Sequence, residues 1–378
     1  MSEDAARSFQ ALRRVLAVIS LPALTLGLGA CSLFTTMWGP PPGFVSRADR
    51  PRSASGLQDF KGSVHCHSFR SHDSTGTIAE IHEACQSVGF DFLVMTDHPS
   101  PYSVARGQRG MVGDTLFLVG AELRVPGGTL LAFPLKRYVR PRETLPEYLA
   151  DIHAQGGLAF VGHAEEFSAW QTPGLDGVEV HNLHAAARRA PKAGVVFGAL
   201  FTSVSMLFEH LVRPDPAVVA AWDGLDRYPS PIVGGNDAHA NIRVLGPLGW
   251  VLGSYREVFR VLSTHVLAER LDQESLVEGI RRGRTYVAFD LWRDASGFQF
   301  YASREGQIFE MGDQAPRGAT LQVRSPVPAE IRILRAGQEV ARQSGVECSL
   351  PAPGPGVYRV EVYLGGKPWV LSSALAVR

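Results

Sequence analysis

Between Asp59 and about residue 290, short apolar runs alternate with longer stretches of helical periodicity, and few architectures accommodate that order. FKGSVHCH reads as a strand, TIAEIHEACQSVG as a helix, and FDFLVMT and TLFLVGAEL as two further strands. A helix over 143–155 follows, then strands GLAFVGH and GVEVHN, helical stretches over 184–226 and a strand PIVGGND. A helix between two strands returns the chain to the same end of the sheet, so the expectation is an α/β fold with a parallel sheet, open or closed into a barrel. Near Trp292 the pattern changes. Residues 295–378 carry short alternating runs (TLQVRS, AEIRILRAG, GVYRVEVYLGG, PWVLSS) split by turn residues, as a small all-β, sandwich-like domain requires.

The polar residues at the strand ends carry the chemistry. All 12 histidines follow residue 64. His65 and His67 close the first strand, Asp97 and His98 the second, Glu122 the third and His163 the fourth; Glu179 and His181 close the fifth, and Asp237 and His239 follow the next. In parallel α/β folds the site gathers at the carboxyl ends of the strands. In His65-Cys66-His67 the strand period of two puts both imidazoles on one face, and Asp237 and His239 repeat that spacing. Imidazole mixed with carboxylate suits zinc, iron or manganese better than calcium or magnesium. No serine elbow, phosphate loop or reactive-cysteine motif offers a competing chemistry.

The N-terminus suggests a compartment. Arg7, Arg13 and Arg14 precede an uncharged apolar run from Val15 to Ala30 that ends Leu28-Gly29-Ala30-Cys31. This resembles a bacterial lipoprotein signal, whose cysteine (here Cys31) is lipidated; the alternative is an uncleaved anchor extending through Trp38. Either reading places the body of the chain in the cell envelope, outside the cytoplasm, on a membrane surface. Residues 32–57 are rich in Pro, Gly and Ser and read as a linker. A second apolar stretch, 194–212, reads as a buried or surface-lying helix because Glu209 and His210 stand near its end. With 37 basic and 37 acidic side chains the formal net charge is zero, so no global field would hold nucleic acid.

HCHSFRSHDS, GFDFLVMTDH, GAELRV, VGHAEE, VEVHN and GGNDAH occur in an order that resembles the polymerase-and-histidinol-phosphatase (PHP) domain. The resemblance covers about residues 58–291, after a signal or anchor at 1–31 and before a β-domain at 292–378. It implies a distorted barrel of about seven strands, two to three divalent ions (Zn, Mn or Fe) and a metal-dependent phosphoesterase acting through a metal-activated hydroxide on a small phosphorylated substrate. It further implies that His65, His67, Glu122 and Asp237 hold a first ion, with Glu122 bridging to a second held by His163. His98 and His239 hold a third with either His72 or Asp73, and Asp97 orients a ligand or holds its loop. Many relatives carry a histidine in the hairpin after Glu122 where this chain has Gly128-Thr129; Glu179 and His181 are possible additional ligands, His181 as the replacement. Arg124 and Arg243 are candidate phosphate contacts, and Asn182 and His184 candidate substrate contacts, with helix capping as the other role for Asn182. Two other functions are compatible with these residues: hydrolysis of a carbon–nitrogen or carboxylic ester bond, which a general-base lysine or a dedicated carboxylate would favour, and a non-catalytic, metal-stabilised lipoprotein that binds a surface partner.

Overall fold

A computed structural model describes residues 39–190, 208–240, 242–243 and 251–378. Cys31, most of the 194–212 stretch and the side chain of Arg243 lie outside the described residues. Among the described residues no helix is long and apolar enough to cross a membrane.

The fold is mixed α/β with one large sheet, and it starts from a strand buried along nearly its whole length. β1 (Gln58–Cys66) pairs in parallel with β2 (Phe92–Met95), and β2 with β4 (Thr115–Val119), whose antiparallel partner is β3 (Gly110–Val112). On the other flank β1 runs parallel to β9 (Ile232–Ala238), β9 to β8 (Gly177–Asn182) and β8 to β7 (Leu158–Gly162). β6 (Gly128–Phe133) is antiparallel to β7 and to β5 (Ala121–Val125). The backbone N–H groups of Gly120 and Glu122 then bond to the carbonyls of Met95 and Thr96, so β5 returns to the end of β2. The run TLFLVGAEL, expected as one strand, is thus two. It breaks at Gly120, where a Cβ would lie 2.6 Å from the Ala132 carbonyl oxygen, and the break lets Glu122 leave one neighbour for another.

The helices follow from their sequences. α1 (Ile78–Val88) buries Ile81, Ala84, Cys85 and Val88, one stripe at helical spacing; Thr77 and Glu80 close its first turn as a capping box. Gly89 ends it at φ 70°, where a side chain would be strained. α2 (Pro101–Ala105) follows β2, α3 (Leu145–His153) precedes β7, and α4 (Leu183–Arg189) leaves β8 directly. α5 (Pro216–Asp223) precedes β9, and a short β10 (Ile242–Arg243) pairs with β11 (Val251–Leu252). α6 (Tyr255–Phe259) and α7 (Gln273–Arg282) complete the set.

β12 (Ser263–Ala268) pairs antiparallel with the first half of β1 and with β13 (Thr285–Ala288). Beyond residue 298 the chain is strand and turn: β14 (Gln299–Arg304), β15 (Gln307–Glu310), β16 (Gln314–Ala315), β17 (Thr320–Arg335), β18 (Gln338–Pro351), β19 (Gly356–Leu364), β20 (Lys367–Ser372) and β21 (Leu375–Val377). These strands enclose their own apolar cluster around Trp369, Phe298, Ile331 and Val360. They are not hydrogen-bonded only to each other, because β13 pairs with β20 and carries the ladder across.

Candidate metal centre

Five strand ends converge on one point. His65 lies on β1 and His67 just beyond it; His98 follows β2, Glu122 lies on β5, His163 follows β7, and Asp237 and His239 close β9. His65, His163 and Asp237 have φ of 78°, 45° and 51°, left-handed backbone that costs a side-chain-bearing residue about 1–3 kcal/mol and persists where the surroundings impose it, often at functional sites. The turns swing the side chains inward together.

The donor atoms form a compact polygon. His65 Nε2 lies 3.3 Å from Glu122 Oε2 and 3.2 Å from Asp237 Oδ1, while His67 Nε2 lies 3.2 and 3.3 Å from the same two oxygens. Two donors sharing an ion at ~2.1 Å, at angles between octahedral and tetrahedral, stand ~3.0–3.4 Å apart. A single N–H cannot point at two oxygens at once, and His67 Nε2 and Asp237 Oδ1 are buried with no hydrogen-bond partner. These orphaned atoms and the mixed imidazole–carboxylate donor set fit a divalent cation. The other oxygens of the same carboxylates face His163, whose Nε2 is 3.1 Å from Glu122 Oε1 and 3.5 Å from Asp237 Oδ2, so both acids span two donor groups.

Asp73, not His72, stands at the centre of the next group. Its Oδ2 lies 3.0 Å from His98 Nε2 and 3.1 Å from His239 Nε2; His72 is more exposed and its ring packs against that of His98, with a ring nitrogen that also lies within 4.8 Å of donor atoms of Asp73 and His98. All of these ligand-type atoms belong to groups whose members lie within 4.8 Å of one another, and His184 joins Asp237 and His239 in one such group.

Charge is concentrated here. Burial opposes a charge on Glu122, yet the imidazoles of His163, His65 and His67 close around it hold its carboxyl far below the ordinary range. Burial likewise opposes a proton on His67, but Asp237 and Glu122 outweigh it and push its pKa up to about 9. His65 is raised well above 6.5, because Asp237 and Glu179 overcome its burial. Burial opposes a charge on Asp73 too, yet Ser71, His239 and His67 draw its carboxyl down to about 2. A field that favours protons on these imidazoles favours a divalent ion in their place.

The remaining candidates take various positions. Asp97 is buried and accepts from the Ser68 N–H at 2.6 Å and the Ser68 hydroxyl at 2.9 Å, which anchors the loop after His67. Asn182 is buried: its carbonyl caps α4 through the Ala185 N–H at 2.8 Å, and its amide reaches Glu179 Oε2 (3.2 Å) and Asp237 Oδ2 (3.3 Å). It therefore caps α4 and braces the centre at once. Glu179 bonds to His65 Nδ1. His181 does not share the face of Glu179. A register shift between them breaks the alternation, and its ring lies edge-on to Phe289 with burial lowering its pKa to about 4. Thr129 pairs across to Arg124 and Gly162. Arg124 is exposed, makes no ion pair among the described residues, and lines a cavity of about 420 Å³ with Asp73, His98, Glu122, Leu123, Tyr138 and Tyr148. Lys61 is buried away from the centre, its Nζ 2.8 Å from Asp290 and 3.0 Å from Asp294.

Sequence reading missed three supports. The Ser71 hydroxyl donates to Asp73 (2.7 Å) and lies 3.2 Å from His67 Nδ1. Tyr255 donates to the His67 carbonyl (2.7 Å), and Ser74 to the His239 carbonyl (2.8 Å). Serine and tyrosine bear no ligand signature; only the SHDS motif hinted at the serines, and nothing local marked Tyr255.

No family model and no curated protein matches the chain. Among solved structures it is similar to a two-domain protein from Bacteroides vulgatus containing a predicted PHP-like metal-dependent phosphoesterase. The two share 13% identity at a TM-score of 0.42, over 89% of this chain and 99% of that one. At that similarity neither chemistry nor residue roles transfer from one chain to the other.

Proposed function

We infer that the chain is a metal-dependent phosphoesterase of PHP type, with residues 58–291 as the hydrolase domain, 292–378 as a β-domain, and the N-terminal segment as a lipid or helical anchor outside the cytoplasm. The observation that carries the hydrolase reading is the set of mutually close imidazole and carboxylate atoms, two of them buried and orphaned, on strained backbone at the strand ends. The circuit of strands from β2 through β1, β9, β8, β7 and β6 to β5 and back to β2 supports the barrel. His65, His67, Glu122 and Asp237 would hold one ion, Glu122, Asp237 and His163 a second, and Asp73, His98 and His239 a third.

Divalent ions supply two things when bound: acidified water and neutralisation of charge on phosphoryl oxygens. The chain's own residues do the rest. Arg124 offers a guanidinium fork at the cavity wall for a phosphate oxygen. His184, half-buried with its pKa lowered by burial, presents an uncharged imidazole beside His239. Leu123, Tyr138 and Tyr148 give the organic part of a small ester an apolar wall that sheds water. The wholly buried Lys61 leaves no lysine to serve as general base for carbon–nitrogen hydrolysis from β1.

The test is hydrolysis of an aryl phosphate with manganese by the natural chain and by a His65→Ala/His67→Ala variant. The expected result is loss of nearly all turnover in the variant. Equal rates in the two would overturn the assignment.

A further inference from the structure

Glu179 is buried to 1% exposure behind His65, a costly place for a carboxylate unless both oxygens are engaged. Both are. Oε1 accepts from His65 Nδ1 at 2.7 Å; Oε2 accepts from the His163 backbone N–H at 2.9 Å and from Asn182 Nδ2 at 3.2 Å. His65 therefore keeps its proton on Nδ1, leaving Nε2 to face Glu122 and Asp237. His163 is the residue at φ 45°, so the second oxygen ties down backbone that would otherwise relax. The neighbouring strand makes room for this carboxylate: a Cβ on Gly235 would lie 1.7 Å from Oε1.

We propose that Glu179 is the positioning carboxylate of the centre and not a metal ligand: one side chain sets the tautomer of His65 and pins the backbone of His163, aligning donors of two neighbouring ions. This rests on the metal-centre reading above. A carboxylate behind a ligating histidine fixes ring orientation and raises ligand basicity, and its loss costs about 10–100-fold in metal affinity.

Glu179→Gln tests the idea without changing volume. The amide offers one acceptor and one donor group, so it can satisfy either His65 or His163 and must set N–H against N–H at the other. Gly235→Ala is the second variant, which leaves Glu179 intact and displaces it far more than His65, whose Cβ would stand 3.2 Å from the new methyl group. Manganese affinity is measured on the full chain by competition with a chelating dye, and coordination by the absorption spectrum of the cobalt(II)-loaded protein. The expected result for both variants is the natural number of ions at saturation, a dissociation constant about 10–100-fold weaker, and a shifted cobalt spectrum. One ion fewer at saturation in Glu179→Gln would make Glu179 a ligand and overturn the proposal. Unchanged affinity and spectrum, or failure of both variants to fold, would overturn it as well. If the natural chain binds no ion, the metal-centre reading itself falls, which is a separate and visible result.

Discussion

At the scale of single residues, the SHDS loop shows how one atom's position decides a role. Spacing leaves His72 and Asp73 equivalent, but Asp73 reaches two histidines while His72, more exposed, stands at the cavity rim beside His98. Asp73→Asn is expected to lower bound metal by about one ion per chain and His72→Ala to leave it unchanged, by elemental analysis of protein purified without chelator. The titrating groups give a second expectation. In metal-free protein, His67 titrates at about 9 in the fold against an ordinary 6.5. Its contribution to stability is full below pH 6.5 and is lost as pH rises towards 9. The melting temperature of the stripped protein should therefore fall between pH 6.5 and 9, and the metal-loaded protein should show a smaller fall, since an ion replaces the proton. Calorimetric metal titrations in buffers of different ionisation enthalpy should also register proton release.

At the scale of elements, the strands and helices were largely legible because their signals are local. The apolar stripe, capping box and terminal glycine of α1 sit within thirteen residues. Thr77→Ala should cost about 0.5–2 kcal/mol in denaturant unfolding while leaving metal content alone. Breaks in regularity were less legible. Gly120 divides an apolar run because of the Ala132 carbonyl, a group twelve positions away. The register shift between Glu179 and His181 arises from pairing with β9, more than fifty residues on, and it sends two residues of one expected face to different sides. No period-two rule applied to GVEVHN alone could detect that.

At the scale of the whole molecule, the C-terminal strands and the α/β part are joined by specific groups. β13 pairs with β20, and Arg359 makes a two-pronged bond to Asp223 of α5 at 2.7 and 2.8 Å, both partners largely buried. Arg359→Ala leaves Asp223 without its cation and should lower stability by about 3–5 kcal/mol. Lys61, on β1, likewise bonds to Asp290 and Asp294, beyond β13. The chain from residue 39 should consequently melt in one calorimetric transition, and two resolved transitions would show that these contacts do not couple the parts. The proposed lipid anchor is tested at this scale too: Cys31→Ser is expected to shift the protein from the membrane pellet to the soluble fraction, and retention in the pellet would overturn lipidation at Cys31.

The sequence by itself determined the alternation of strands and helices, the change to β-structure near Trp292 and the ligand types at the strand ends, since each follows from short-range periodicity and side-chain chemistry. Only the tertiary structure decided that Asp73 reaches His98 and His239, that Glu122 and Asp237 each face two donor groups, and that Glu179 lies behind His65 while His181 turns to Phe289. Those are matters of distance between residues far apart in the chain. They depend on backbone turns at positive φ, and on glycines whose missing Cβ leaves room, neither of which any local pattern encodes.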